Sequence, residues 1–446
     1  MGKYFGTDGF RGLYGEQLQT HHAYRIGRFL GSILKPNESI FIGQDTRISS
    51  PILANAFIDG ALKSGARVVD LSVVTTPSIS FFLQQTKKGF GVMISASHNP
   101  YQDNGIKVFN HEGEKLSADI ENAIEQYLDA PVDNLPIKTG KDMGTIDPNS
   151  KLYLSQYIDF LVKRHQPKLR RNLKILVDTA NGAASNIAKV LFDHLGVQAT
   201  FINALPNGKN INEQCGATYL QTLKTNILKG TFDLGIAFDG DADRMLAMTS
   251  DGQEVNGDAL IYLNSLDLFT KRPDLERKVV ITQMSNFGLK KALKEQKISY
   301  LETQVGDKYV QAALKKEQLI LGGEQSGHVI FLDELNTGDG LLSAIKLLNI
   351  LQSTTKSLSE LVVSLKQYPQ VLKNIKVKNK DEVMSHPSLL DLIKDIEKRL
   401  GQEGRILVRP SGTESLIRIM VEALQPQHCK DYVQEVVQFI ENTFIH

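Results

Sequence analysis

A chain of 446 residues is too long for one hydrophobic core and suggests about three to four domains. Its 51 Lys plus Arg against 50 Asp plus Glu leave no global field to draw it to nucleic acid or to an anionic membrane. The two cysteines, Cys215 and Cys429, form no CxxC pair, which argues against a disulfide framework or a zinc site and for a reducing compartment.

The N-terminus MGKYFGTDGFRG lacks the apolar core of a signal peptide. No apolar run approaches the ~18 residues of a membrane span, so the expected setting is the cytoplasm. Within this Gly-rich stretch Arg11 is a candidate anion ligand. Short β-branched runs follow, at 39–45, 66–74, 90–95, 173–179, 232–238 and 278–284. Several are apolar throughout, as strands buried on both faces of a mainly parallel or mixed sheet should be. Helix-like stretches such as ISSPILANAFIDGALKSG and SNIAKVLFDHLG lie between them. The alternation restarts near residues 1, 171 and 277, and predicts consecutive α/β domains. The polar stretch 129–150 reads as loop and junction. Beyond Tyr368-Pro369 a smaller α+β unit carries a strand pair around the turn PSGTE. The predicted boundaries are 1–152, 153–252, 253–368 and 369–446.

Besides the Arg11 stretch, four segments carry candidate chemistry. SASHNP (95–100) places Ser97 at a strand end, followed by a turn; on its own a Ser turn or N-cap explains it as well. No glycine stands two residues either side of Ser95 or Ser97, so it is not a nucleophile elbow. FDGDADR (238–244) spaces Asp239, Asp241 and Asp243 by two, which puts three carboxylates on one face of an extended backbone. They repel unless a cation sits among them. Oxygen ligands without His or Cys point to Mg²⁺, the alternative being a solvated acidic turn. An EF-hand is excluded, because Arg244 and Ser250 occupy its Gly and Glu positions. GGEQSGH (322–328) offers Glu324 and Ser326 to the hydroxyls of a polyol, with His328 able to move a proton; a Gly-rich loop with a satisfied histidine is the plainer reading. In RPSGTES (409–415) Arg409 can fork onto a phosphate and Ser411 and Thr413 offer hydroxyls. Gly412 opens the backbone to an anion, and Arg418 adds a cation; a plain hairpin turn is the alternative. GxxxxGK[ST] and GxGxxG are both missing, which weighs against nucleotide- or NAD-driven chemistry.

Together, FGTDGFRG, GQDTR, SASHNPYQDNGIK, DGDADR, GGEQSGH and RPSGTE resemble the α-D-phosphohexomutase superfamily in order and spacing, over essentially the whole chain. VDTANGA, PNGKNINEQCGAT, MSNFGL, VGDKYV and NTGDGLLSA resemble its bacterial branch acting on phosphorylated glucosamine. Phe10, Pro410 and Ser415 depart from the family's usual residues, which touches loop shape more than contacting groups. The resemblance implies three mixed α/β domains and a smaller C-terminal α+β domain around a central cleft. It implies interconversion of glucosamine 6-phosphate and glucosamine 1-phosphate, for UDP-N-acetylglucosamine and cell-wall precursors. The carrier would be a phosphoserine at Ser97. Mg²⁺ would sit on Asp239, Asp241, Asp243 and the phosphoserine. Glucosamine 1,6-bisphosphate or glucose 1,6-bisphosphate would be the activating intermediate. Glu324 and Ser326 would grip the sugar. Arg409, Ser411, Gly412, Thr413 and Arg418 would hold the non-reacting phosphate. Arg11, His98, Lys107, Arg244 and His328 would line the reacting end, with Lys107 or His328 as general base. The implied partner is a small-molecule hexosamine phosphate, with no nucleic acid or membrane partner, for a monomer or homodimer. A phosphoglucomutase or phosphomannomutase, a non-catalytic sugar-phosphate binder, and a metal-dependent phosphatase stand as alternatives.

Overall fold

The computed structural model describes residues 2–6, 8–147, 149–166, 171–411 and 415–445. Contacts divide the chain into two compact units. One holds Met1–Met284 and Ile298–Val363, the other Ser285–Lys297 and Ser364–His446.

The first unit carries three mixed sheets. Seven strands form the first, in the order Phe5–Gly6, Gly9–Leu13, Asp103–Phe109, Phe90–Ile94, Ile40–Gln44, Arg67–Val73, Thr145–Asp147. Its central strands Ile40–Gln44 and Phe90–Ile94 run parallel, and Phe90–Ile94 pairs antiparallel with Asp103–Phe109. The second sheet has the order Glu254–Val255, Met245–Thr249, Leu234–Phe238, Lys174–Asp178, Gln198–Ile202. Every residue of Leu234–Phe238 and of Met245–Thr249 is buried, as strands covered on both faces require. The third sheet orders Ser299–Thr303, Lys278–Thr282, Leu321–Gly323 and Val329–Phe331. All six β-branched runs expected from the sequence are strands. The two helix-like stretches are the helices Ser50–Lys63 and Ala184–His194.

One expectation is corrected. Within the stretch 129–150, Thr145–Asp147 is a strand, parallel to Arg67–Val73 at the edge of the first sheet. Its sequence Thr-Ile-Asp is too short to show a period, and Ile146 is exposed, so backbone pairing makes the strand.

The second unit is built on a three-stranded antiparallel sheet, Gln370–Lys376, Leu416–Ala423, Gly404–Pro410. The helices Pro387–Leu400 and Pro426–Phe444 cover it through a core of Leu389, Ile396, Ile417, Ile419, Val436 and Ile440. The short helix Phe287–Glu295 joins this unit. Asn286 Nδ2 donates to Glu422 Oε1 at 3.0 Å, and the Phe287 N–H to Glu422 Oε2 at 3.0 Å. Both cysteines are buried and free. Among the described residues no helix is long and apolar enough to cross a membrane.

Candidate active site

Two buried strands deliver the reactive loops. Phe90–Ile94 runs out into residues 95–100, and Leu234–Phe238 runs out into the aspartate loop. Strand ends are where α/β sheets expose backbone and side chains to ligands. Ser97 stands in the left-handed region at φ 49°. Its carbonyl is pinned by Arg47 Nη2 at 3.0 Å and by Asn212 Nδ2 at 2.8 Å. The buried Arg47 guanidinium also donates to the carbonyls of Asn99, Pro100 and Asp103 and pairs with Asp45 at 2.8 Å. These bonds hold a conformation that a serine rarely adopts. A side chain at Gly240 would come within 2.4 Å of the Ser97 carbonyl, and one at Gly182 within 2.4 Å of the Gly240 carbonyl. Glycine is therefore required where these loops stack backbone on backbone.

The Ser97 hydroxyl donates to Asp239 Oδ2 at 2.7 Å. Carboxylate oxygens of Asp239, Asp241 and Asp243 all lie within 4.8 Å of one another, and all three residues are buried. Asp241 Oδ2 accepts from Thr76 Oγ1 at 2.5 Å and from Lys107 Nζ at 2.8 Å. Thr76 begins the helix Thr76–Thr86, so a helix N-terminus faces the anionic cluster. Lys107 also reaches Asp243 at 3.4 Å. Burial, then the charges of Asp243 and Asp241, push Asp239 up to about 8. Burial opposes the Asp243 charge, but Lys107, His328 and Arg244 outweigh it and hold that carboxyl well below its usual range. Burial likewise opposes the Lys107 ammonium, and Asp241, Asp8 and Asp243 together keep it charged far above neutral pH. Two buried oxygens, Asp241 Oδ1 and Asp243 Oδ1, have no hydrogen-bond partner. Such orphans are costly unless something else meets them.

His98 lies beside the serine, Nδ1 to Ser97 Oγ 3.4 Å; burial, then Arg244 and Arg11, lower it to about 4. Arg11 pairs with Asp8. The Arg244 backbone N–H donates to Asp239 Oδ1 at 3.2 Å, and its guanidinium lies 3.8 Å from Asp243. Burial opposes the His328 charge, yet the carboxylates of Asp243, Asp307 and Glu324 raise it to about 9. Against this, Nε2 accepts the Gly338 N–H at 3.0 Å and so keeps its lone pair. With Nε2 accepting, a proton on this ring sits on Nδ1, which lies 3.8 Å from Asp243.

The loop bearing Glu324 is tied down from three sides. Met245 N–H donates to the Gly327 carbonyl at 3.1 Å and Gly257 N–H to the Gln325 carbonyl at 2.9 Å. Glu324 Oε1 accepts the Gly306 N–H at 3.0 Å, and burial raises the Glu324 carboxyl. The buried Ser326 hydroxyl makes no hydrogen bond.

Ser97, His98, Lys107, Arg11, Arg244, Glu324, His328 and the three aspartates thus share one connected network. Arg409, Ser411 and Arg418 gather instead in the second unit. Arg409 and Arg418 are direct cross-strand neighbours; burial, then the Arg418 charge, lower Arg409. Lys380 Nζ donates to the Ser411 carbonyl at 2.7 Å. Gly412 and Thr413 lie outside the described residues.

Sequence reasoning passed over Asp8, Arg47, Thr76, Lys115, Asn212, Asp307 and Lys380. Asp8, Arg47, Asn212 and Asp307 sit inside segments already singled out for their resemblance, which was the available signal. Thr76, Lys115 and Lys380 had none.

Models of the phosphoglucomutase/phosphomannomutase family match nearly all of the chain. The alpha/beta/alpha domains I, II and III match residues 2–133, 155–252 and 256–368, and the C-terminal domain matches 372–439. The chain belongs to this family. Among relatives of this phosphohexomutase, the phosphoglucosamine mutases of Bacillus pumilus and Bacillus subtilis are each 43% identical over 99% of both chains. A phosphoglucomutase/phosphomannomutase family protein from Burkholderia thailandensis shares the fold at TM-score 0.80 and 23% identity, over 100% of this chain and 99% of that one. The N-acetylphosphoglucosamine mutase of Aspergillus fumigatus, solved with GlcNAc-6P and magnesium, shares it at TM-score 0.72 and 19% identity, over 98% and 95%.

Proposed function

We propose that this phosphohexomutase is a phosphoglucosamine mutase, interconverting glucosamine 6-phosphate and glucosamine 1-phosphate through phosphorylated Ser97. The observation that carries the reading is the Ser97 hydroxyl, 2.7 Å from Asp239 in a buried carboxylate trio. Whole-chain identity to phosphoglucosamine mutases supports the amino-sugar substrate.

The trio fits a divalent cation. Asp8, Asp239, Asp241, Asp243, Asp307 and Glu324 outnumber the fixed cations Arg11, Lys107, Lys115 and Arg244 by two. The two orphaned oxygens, Asp241 Oδ1 and Asp243 Oδ1, are hard donors suited to Mg²⁺. Asp239, Asp241, Asp243 and the Ser97 phosphoryl group would hold it. When bound, Mg²⁺ supplies charge neutralisation on the transferring group.

Phosphoryl transfer is mostly positioning and electrostatics, and its loose transition state asks little of a base. In the first half-reaction the phosphorus–Oγ bond of Ser97 breaks as a phosphorus–oxygen bond to the free sugar hydroxyl forms, the hydroxyl gives up its proton, and Ser97 Oγ takes one up. The products are free Ser97 and glucosamine 1,6-bisphosphate, which reverses in the site; its other phosphoryl group returns to Ser97. Glucose 1,6-bisphosphate would prime the serine equally. The cationic Lys107 suits stabilisation of the moving phosphoryl group better than proton removal. His328 gives Nε2 to the Gly338 N–H and turns Nδ1 toward Asp243 at 3.8 Å, so it is read here as steadying Asp243 rather than as the base. Arg11, His98 and Arg244 line the reacting end, Glu324 and Ser326 grip the sugar, and Arg409, Ser411, Gly412, Thr413 and Arg418 clamp the phosphate that stays.

We place the domain boundaries at 1–152, 153–252, 253–368 and 369–446, in a cytoplasmic monomer or homodimer that serves cell-wall precursor synthesis without a nucleic-acid or membrane partner. A coupled assay on glucosamine, glucose and mannose phosphates, with and without Mg²⁺, tests the function. Faster turnover of glucose or mannose phosphates would favour the phosphoglucomutase or phosphomannomutase reading that the family description names. Stoichiometric phosphate on Ser97 after incubation with glucose 1,6-bisphosphate, read by intact mass, separates the enzyme from a passive binder.

A further inference from the structure

Lys107 is not the end of the charge chain that leaves the acidic trio. From Asp241 to Lys107 is 2.8 Å, from Lys107 to Asp8 3.7 Å, from Asp8 to Lys115 3.0 Å, and from Lys115 to Asp307 2.7 Å. Asp307 opens the helix Asp307–Lys316, and the residue before it, Gly306, donates its N–H to Glu324. Anions and cations alternate from the Ser97 cluster as far as Asp307, and the neutral Gly306 N–H makes the last link to Glu324.

Lys115 is the link that joins two sheets. It closes the hairpin that follows Asp103–Phe109, bridging to Phe109, with the Asn110 N–H on the Glu114 carbonyl at 2.7 Å. Its ammonium lies between a carboxylate from the N-terminal loop and one from a helix 192 positions away. Side-chain exposures of 19%, 27% and 22% for Lys115, Asp8 and Asp307 put these pairs under less screening than surface pairs. The same hairpin meets the same helix elsewhere. Glu112 and Glu114 both pair with Lys315, and Asn336 Nδ2 donates to the Glu112 carbonyl at 2.8 Å. The Lys315–Glu112 pair is more exposed and holds the surfaces together weakly. Replacing Lys115 by an apolar residue would leave Asp8 and Asp307 facing each other without their shared cation.

We propose that Lys115 is a positioning residue: an ion-paired strut that fixes the Glu324 sugar grip at its working distance from Ser97. The proposal rests on the mutase reading above, and its test keeps the two apart. In the full-length protein, K115M should speed amide exchange at 304–312 and 321–328 while leaving 90–109 unchanged. It should raise the KM for glucosamine 6-phosphate about tenfold with kcat held within about threefold. Ser97 should still take up stoichiometric phosphate from glucose 1,6-bisphosphate, by intact mass. K115R should restore both exchange and KM, which a mere loss of stability would not predict. If K115M does not fold, D307N removes one end of the strut and should give the same pattern. Unchanged exchange together with an unchanged KM overturns the strut. Loss of Ser97 phosphorylation also overturns it, because Lys115 would then act at the phosphoryl site. A wild-type protein with no mutase turnover would sink the functional reading instead, and exchange alone would then judge the strut.

Discussion

The Ser97 cluster and the Arg409–Arg418 pair handle charge in opposite ways. In the first unit carboxylates dominate and hold most of the cations: Lys107 by Asp241, Asp243 and Asp8, Arg11 by Asp8, Lys115 by Asp307. In the second unit two guanidinium groups sit directly opposite one another on antiparallel strands, an arrangement that costs stability. The first region gathers carboxylates and the second gathers guanidinium groups. A metal ion and a phosphate ester are the complementary answers.

That contrast can be broken in four ways. The largest effect should come from S97A, lowering mutase turnover by about three orders of magnitude or more; near-normal rates in the coupled assay would remove the covalent relay. Chelation with EDTA should abolish activity, and Mg²⁺ should restore it. Chelation should also lower the thermal midpoint of the protein by about several degrees, because the trio loses its counter-charge. An apo-protein melting at the same temperature would mean that Lys107 alone compensates the aspartates. R409A should act the other way round. It should raise KM for the sugar phosphate about 10–100-fold by losing a charge-assisted contact. Its thermal midpoint should hold or rise, since the repulsion with Arg418 is relieved; a marked fall would show that Arg409 is structural.

The smallest effect concerns a buried carboxyl of the first unit. Asp339 caps the helix Gly340–Leu351, accepting the Leu342 N–H at 3.0 Å and the Tyr157 hydroxyl at 2.7 Å. Burial raises it to about 6. The folded state therefore binds this proton between about pH 6 and the unfolded value near 4, and the group adds stability as pH falls through that window. Relative to D339N, the wild type should gain about 1–2 kcal/mol between pH 7 and pH 4.5 in urea titrations. Parallel curves would show that the carboxyl stays ionised.

The strands around the site were legible because their cores are apolar throughout. LGIAF is buried at every position and can be little else. The convergence of the three aspartates was legible, but not its cause: residues 239–243 are a turn rather than an extended run, with Ala242 at φ 56° and its N–H on the Asp239 carbonyl at 3.1 Å. The strand Thr145–Asp147 was not, because a three-residue edge strand lives on pairing rather than on side chains. Nor was the environment of Ser97. Arg47, Asn212 and Thr76 reach it or its partners from other elements, and the Thr76–Asp241 bond spans 165 positions. Spacing rules describe neighbours along one element; they are silent on which loops a fold lays side by side. For His328 the residue type suggested proton transfer; the fold places Nε2 on the Gly338 N–H and Nδ1 3.8 Å from Asp243, which no spacing could give.

The stacking of Gly182 on Gly240 and of Gly240 on the Ser97 carbonyl has a consequence for how the protein comes into being. Ser97 and Asp239 stand 142 positions apart, and contacts of such separation form late, after the intervening chain has paid its loop-closure entropy. On the ribosome the serine emerges long before the carboxylates that define its surroundings. Until the second sheet docks, the nascent chain carries an ordinary serine, and the reactive centre comes into existence only at the moment of tertiary assembly.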